Sequence, residues 1–286
     1  MIINIHSGVK NSKAQLLDAL DIFCKNGYDV TTYIPQAIND AYQYLKKNKV
    51  KYDVICAFGG DGTMNEVTNA LMLKQDRPMI GYFPSGTFND FGSNFFKDQD
   101  FRTIAENICK DEYRQFDVGT FNDKYFNYVA AFGAMCDVPY STSRKAKERF
   151  GGLAYIIEGI SKLDSLKPIK TKVTINGKTR EMKLLFGLVF SGGRVGGQQI
   201  VSDARSKLDD GLFNVILVDY VDNGIIDFPD ILATIAMYDK HVHTYRASEI
   251  TIECEDKVAW TIDGEKAETN GLVNIKNINK AMKIKA

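Results

Sequence analysis

The sequence predicts an α/β domain with a parallel sheet, followed by an antiparallel β-sandwich-like domain. Three observations predict it. The first part of the chain alternates short apolar runs with segments of helical period. Two of those apolar runs end in small-residue turns, GGDGT at 59–63 and PSGT at 84–87. Beyond residue 118 the segments become alternating or β-branched, with turn residues between them.

Taken in order, IINI (2–5) is the first strand, and the small, polar His6-Ser7-Gly8 follows it. AQLLDALDIFCKNG (14–27) repeats its apolar residues at helical spacing and ends in Asn26-Gly27, a helix C-cap. YDVTTYI (28–34) reads as a strand. AINDAYQYLKKNK (37–49) reads as a helix with lysines in its last turn. YDVICAF (52–58) is a buried strand, TMNEVTNALML (63–73) a helix, and RPMIGYF (77–83) the next strand. In the second part, Asn176-Gly177 between KVTI and KTREM is a two-residue hairpin signal. LFNVILVDYV and SEITIECEDKVAWTIDGEKAE supply further strands, and helical patterns interrupt at 146–163 and 229–238. The predicted division is 1–118, joined by the closing segment 278–286 as a returning strand, and 119–277.

Composition narrows the function. Of 286 residues, 44 % are apolar and 25 % charged, with 36 basic and 36 acidic side chains. A zero net charge argues against a nucleic-acid partner. The five cysteines are scattered without a C-x-x-C pair, which argues against a zinc site or disulfide framework and fits a reducing cytoplasm. MIINIHSG reads as a strand rather than a signal peptide, and no apolar run approaches a membrane span. Any membrane contact is then peripheral, at the inner surface. An edge strand of the second domain leaves a homodimer open.

A strand running into a glycine turn that opens a helix is a phosphate-binding geometry. Glycine removes Cβ, so backbone N–H groups converge on anionic oxygens, and the helix N-terminus adds partial positive charge. Asp61 in the middle of the turn suits a Mg²⁺ ion beside the phosphates; the plain alternative is a βα turn with Asp61 as helix cap. The P-loop pattern is absent, and Gly60-Asp61-Gly62 does not extend to G-x-G-x-x-G because Asn65 holds the last position. The second small-residue turn, Ser85-Gly86-Thr87 with Asn89-Asp90, follows the next strand. Adjacent parallel strands bring such loops side by side, where open α/β sheets bind ligands.

GGDGT-x-NEV followed by P-x-GT-x-NDF resembles the diacylglycerol kinase catalytic domain family, soluble lipid kinases related to sphingosine kinases and more distantly to NAD kinases. FDVGTFNDKYFNYVAAFG, FGGLAYIIEGI, KLDDGLFNVILV and WTIDGE resemble further family segments in the same order. The resemblance implies an ATP-binding domain and a β-sandwich domain, ATP as phosphate donor, Mg²⁺, and a lipid acceptor at the membrane surface. It implies that Gly59, Gly60, Asp61, Gly62 and Thr63 hold the ATP phosphates and Mg²⁺. It extends the ATP site to Asn65, Glu66, Ser85, Gly86, Thr87 and Asn89, and to Asn4, Ser7 and Gly8 after the first strand. Ile5 stands where the family has proline, and Pro35 where it often has threonine. Asp210, with the backbone carbonyls of Lys207 and Leu212, matches a second, structural Mg²⁺ position. The proline expected upstream of it is missing from SDARSKLDDG.

Asp263 and Glu265 flank Gly264. In an extended segment they would share a face and raise one another's proton affinity, so that one could act as a base. The resemblance makes Glu265 the base, with Asp263 supporting it or binding metal and Asp61, together with Mg²⁺, stabilising the charge on the γ-phosphate. Two rivals remain: an NAD kinase, which shares GGDGT, and a nucleotide-sensing protein of the same fold without turnover. The basic run 144–149 reads as a solvated face or a lipid contact, and Trp260 as core.

Overall fold

The structure is a computed structural model, and the residues described are 1–6, 12–87, 89–96, 100–133, 136, 167–202, 206–221, 240–254 and 258–286. The expected helices at 146–163 and 229–238, the basic run at 144–149, and Ser7 and Gly8 lie outside them. The chain divides into two compact units, Met1–Val118 with Asn279–Ala286, and Gly119–Ile278.

The first unit holds β1 (Ile2–Ile3), α1 (Ser12–Lys25), α2 (Asp40–Lys47), β2 (Val54–Gly59), α3 (Asp61–Met72), β3 (Met79–Pro84), α4 (Phe101–Cys109) and the start of β4 (Arg114–Phe121). β1 pairs with β2, and β2 with β3, all parallel. The expected strand at 28–34 reduces to one parallel bridge, Tyr33 to Ile2. It lies at the edge of the sheet, where pairing on one side only holds it. VICAF and IGYF are near-continuous apolar runs because the sheet is covered on both faces. Ala57, Phe58, Ile80, Tyr82 and Phe83 are all buried. Helix α1 packs on α4, and α2 on α3. Asp100 caps α4, its side chain accepting the Thr103 N–H at 2.8 Å.

The second unit is antiparallel. Its strands are β5 (Lys124–Phe126), β6 (Val129–Gly133), β7 (Ile169–Ile175), β8 (Lys178–Phe190), β9 (Arg194–Val195), β10 (Gln198–Gln199), β11 (Phe213–Asp219), β12 (Val242–Ala247), β13 (Glu249–Cys254), β14 (Trp260–Ile262), β15 (Glu265–Ala267) and β16 (Leu272–Ile284). The order β13-β7-β8-β6-β14-β15 forms its main path, and β11 pairs with both β8 and β12. Asn176 and Gly177, at φ of 52° and 74°, make the two-residue hairpin between β7 and β8. The inward residues Phe126, Phe132, Val189, Phe213, Ile252 and Trp260 form one core. Trp260 stands edge-on to Phe121 with ring centroids 5.1 Å apart.

Strand β16 contributes to both units in turn. Residues 272–276 pair with β13, and Ile284 pairs in parallel with Ile80 of β3. Between them Lys280 adopts a φ of 49°, and its N–H donates to the Asp117 carboxylate at 2.7 Å.

Candidate active site

The first unit brings the two small-residue turns together because β2 and β3 are parallel neighbours in register, Gly59 opposite Pro84. The Ser85 N–H donates to the Gly59 carbonyl at 2.9 Å. The turns then touch: a Cβ built on Gly86 would lie 2.6 Å from the Gly60 Cα and 2.8 Å from Asn89 Oδ1. Part of the glycine requirement is thus the approach of one loop to the other. A Cβ on Gly59 would lie 2.3 Å from Thr63 Oγ1. That hydroxyl accepts from Asn4 Nδ2 at 3.1 Å, which draws the end of β1 into the cluster.

Asp61 binds the two loops. Its carboxylate accepts the Asp90 N–H at 3.1 Å and the Phe91 N–H at 3.2 Å. Beneath it Tyr82 is fully buried. Burial, then the nearby Asp61 and Asp90 carboxylates, hold the Tyr82 phenol well above its ordinary pKa. Asn89, at a φ of 52°, closes the second loop: its Oδ1 accepts the Gly86 N–H at 2.8 Å, and its Nδ2 donates to the Gly86 carbonyl at 2.9 Å. Thr87 is exposed and Ser85 buried. Helix α3 starts after Gly60 with no side-chain cap. The first N–H groups of a helix have no partner within it, so this end of α3 offers donors to an anion.

Glu66 points elsewhere. Its carboxylate accepts the Asn39 N–H at 3.0 Å and the Tyr42 N–H at 3.2 Å, so it caps α2 from the neighbouring helix. Asn65 accepts from Asn69 Nδ2 through its carbonyl and its Oδ1, both at 3.0 Å.

In the second unit, residues 263–265 are not extended. Asp263 and Gly264, at φ of 48° and 86°, form a two-residue turn, with Ile262 opposite Glu265. The shared-face premise for the two carboxylates therefore fails. Asp263 is 6 % exposed, and its Oδ2 accepts the Asn127 N–H at 2.6 Å. Its Oδ1 accepts the Tyr128 and Val129 N–H groups at 3.0 and 3.1 Å. The carboxylate clamps the segment entering β6 to the turn. Glu265, one step on, is exposed at the start of β15.

The loop at 207–212 is also self-bonded. Asp210 accepts the Lys207 N–H at 3.3 Å and the Leu212 N–H at 3.0 Å. Arg246 Nη2 lies 2.6 Å from its Oδ2. Sequence reading missed Arg246, because nothing local marks an arginine two strands away as the partner of a loop aspartate.

Comparison with known proteins agrees with this layout. Residues 1–121 match the diacylglycerol kinase catalytic domain, and residues 132–284 the YegS C-terminal NAD kinase beta sandwich-like domain. A diacylglycerol kinase of Staphylococcus aureus is 34 % identical over 269 residues, covering 93 % of this chain and 85 % of that protein. One of Staphylococcus saprophyticus is 32 % identical, covering 93 % of this chain and 88 % of that protein. A solved diacylglycerol kinase structure from Bacillus anthracis superposes with a TM-score of 0.81 at 24 % identity, over 99 % of this chain and 95 % of that one. An NAD kinase from Archaeoglobus fulgidus, in complex with ATP, shares the fold at a TM-score of 0.55 and 12 % identity, over 100 % of this chain and 92 % of that one. Paired glycine loops on a parallel sheet, followed by a sandwich-like unit, define a two-domain kinase class. The chain belongs to the diacylglycerol kinase catalytic domain family, and it is a kinase with an alcohol group as acceptor. Among the described residues no helix is long and apolar enough to cross a membrane.

Proposed function

We propose that this protein transfers the γ-phosphate of ATP to the hydroxyl of a membrane lipid, diacylglycerol, giving phosphatidic acid. The observation that carries the reading is the pair of glycine loops locked together by Asp61 at the uncapped start of α3. The names of the staphylococcal relatives support the acceptor.

Gly60, Gly62 and Thr63 present backbone N–H groups to the phosphates, Gly59 ends β2 where the turn begins, and Gly86 with Thr87 forms the facing wall. Asp61 holds the two walls in register and is the acidic group beside which Mg²⁺ accompanying ATP would sit; the ion, when bound, neutralises phosphate charge. Asn4 fixes the Thr63 hydroxyl, while Glu66 and Asn65 act through the packing of α2 and α3.

In the transfer the lipid hydroxyl oxygen bonds to the γ-phosphorus as the bond to the β,γ-bridging oxygen breaks, and ADP leaves. Glu265 accepts the hydroxyl proton. Asp263 is a positioning residue: with its oxygens on three N–H groups, it sets the turn that presents Glu265. The enzyme works as a peripheral protein at the cytoplasmic membrane surface.

The test is transfer of label from γ-labelled ATP to a panel of lipids in mixed micelles, with NAD in parallel, for the wild type and Glu265→Gln. Label is expected on diacylglycerol and not on NAD. Loss of the base is expected to slow transfer about 10²–10⁴-fold. Label on NAD, label on a different lipid alcohol, or a fully active Glu265→Gln protein would each overturn the corresponding part of the reading.

A further inference from the structure

The loop at Lys207–Leu212 corresponds, by resemblance, to a place where a structural Mg²⁺ sits, yet its donors do not fit one. Asp210 Oδ2 is committed to Arg246 Nη2 at 2.6 Å and to the Lys207 N–H at 3.3 Å. Its Oδ1 accepts the Leu212 N–H at 3.0 Å. A divalent cation needs several oxygens, at least one carrying uncompensated charge. Here a guanidinium already answers the carboxylate charge, and three donors take three of its roughly four lone-pair sites.

The arginine is delivered by the sheet. The loop ends where β11 begins, and β11 pairs with β12 so that Asn214 stands opposite Arg246. The Arg246 carbonyl accepts from Asn176 Nδ2 at 3.0 Å, which ties this point of β12 to the β7–β8 turn. Side-chain exposures of 33 % for Arg246 and 26 % for Asp210 leave the pair partly shielded from water. A guanidinium is a permanent, planar cation with several donors, suited to holding a carboxylate in one orientation.

We propose that Arg246 is a built-in cation that takes the place of the second, structural Mg²⁺, so that the second unit folds and keeps this loop without a divalent ion. The missing proline in SDARSKLDDG fits a loop organised by a side chain rather than by metal-bound carbonyls.

The experiment is thermal unfolding of the full chain without nucleotide, in EDTA and in excess MgCl₂. The readout needs no turnover, so failure of the kinase reading leaves it unaffected. The wild type is expected to melt at the same temperature in both, within about 1 °C, and Arg246→Met to melt about 4 °C lower in EDTA. Mg²⁺ is expected to restore part of that loss, because the Asp210 carboxylate is then available to the ion. Arg246→Lys keeps the charge and should stay indifferent to Mg²⁺; it decides the matter together with the wild type if Arg246→Met does not fold. A wild type stabilised by Mg²⁺, with the gain abolished in Asp210→Asn, would overturn the proposal. So would an Arg246→Met protein as stable as wild type in EDTA, or one that lost stability and ignored Mg²⁺.

Discussion

Asp263→Asn separates a structural carboxylate from a catalytic one. Asparagine adopts the left-handed backbone that Asp263 uses at a φ of 48°, so the turn itself is not strained. The amide oxygen can still accept the Tyr128 and Val129 N–H groups, now at 3.0 and 3.1 Å from Oδ1. The amide nitrogen then faces the Asn127 N–H, which sits 2.6 Å from Oδ2, donor against donor. The loss is one charge-assisted hydrogen bond, about 1.5–3 kcal/mol, and a buried N–H left without an acceptor, about 1–3 kcal/mol. Taking a total of about 3 kcal/mol, the second unit should melt about 6–12 °C lower. Scanning calorimetry measures that shift, and kcat against pH is recorded on the same protein. The activity lost should follow the misplaced turn, with the pH profile keeping the wild-type shape. A variant that melts with the wild type yet loses kcat about 10³-fold, with an altered acid limb, would refute the clamp and make Asp263 a base or ligand.

Gly86→Ala places a Cβ 2.6 Å from the Gly60 Cα, a backbone contact that cannot yield without parting the loops. About 1–3 kcal/mol of overpacking is expected, with the KM for ATP raised about tenfold, since 1.4 kcal/mol is a factor of ten. Gly177→Ala is the contrast: nothing lies within 4 Å of its Cβ, and at a φ of 74° it should lower the melting temperature while leaving steady-state kinetics unchanged. Wild-type ATP kinetics in Gly86→Ala would show that the loops do not need each other. Thiol labelling at neutral pH should modify the exposed Cys24 and spare Cys56, which is buried and whose pKa burial pushes up to about 11. Mass spectrometry of the labelled peptides reads this directly, and equal labelling of both would mean that β2 opens in the native state.

The fold class was legible because its signals are local. Helical period in AQLLDALDIFCK, continuous apolar runs at VICAF and IGYF, and Asn176-Gly177 each report on neighbours along the chain. The two glycine turns were legible for the same reason, as was the family they resemble. The strand expected at 28–34 was not, because its pattern carries no information about lying at an edge, where only Tyr33 is bridged. The carboxylates were the hardest to read. Asp61 belongs to the second loop as much as to its own, Glu66 caps a helix that precedes it, Asp263 serves residues more than a hundred positions earlier, and Asp210 is answered by Arg246. By itself the sequence determined the two-domain layout, the glycine loops and the family. Only the tertiary structure decided what each acidic side chain holds, because a carboxylate takes whatever donors strand register and loop approach bring within 3 Å or so, and neither is written in the residues beside it.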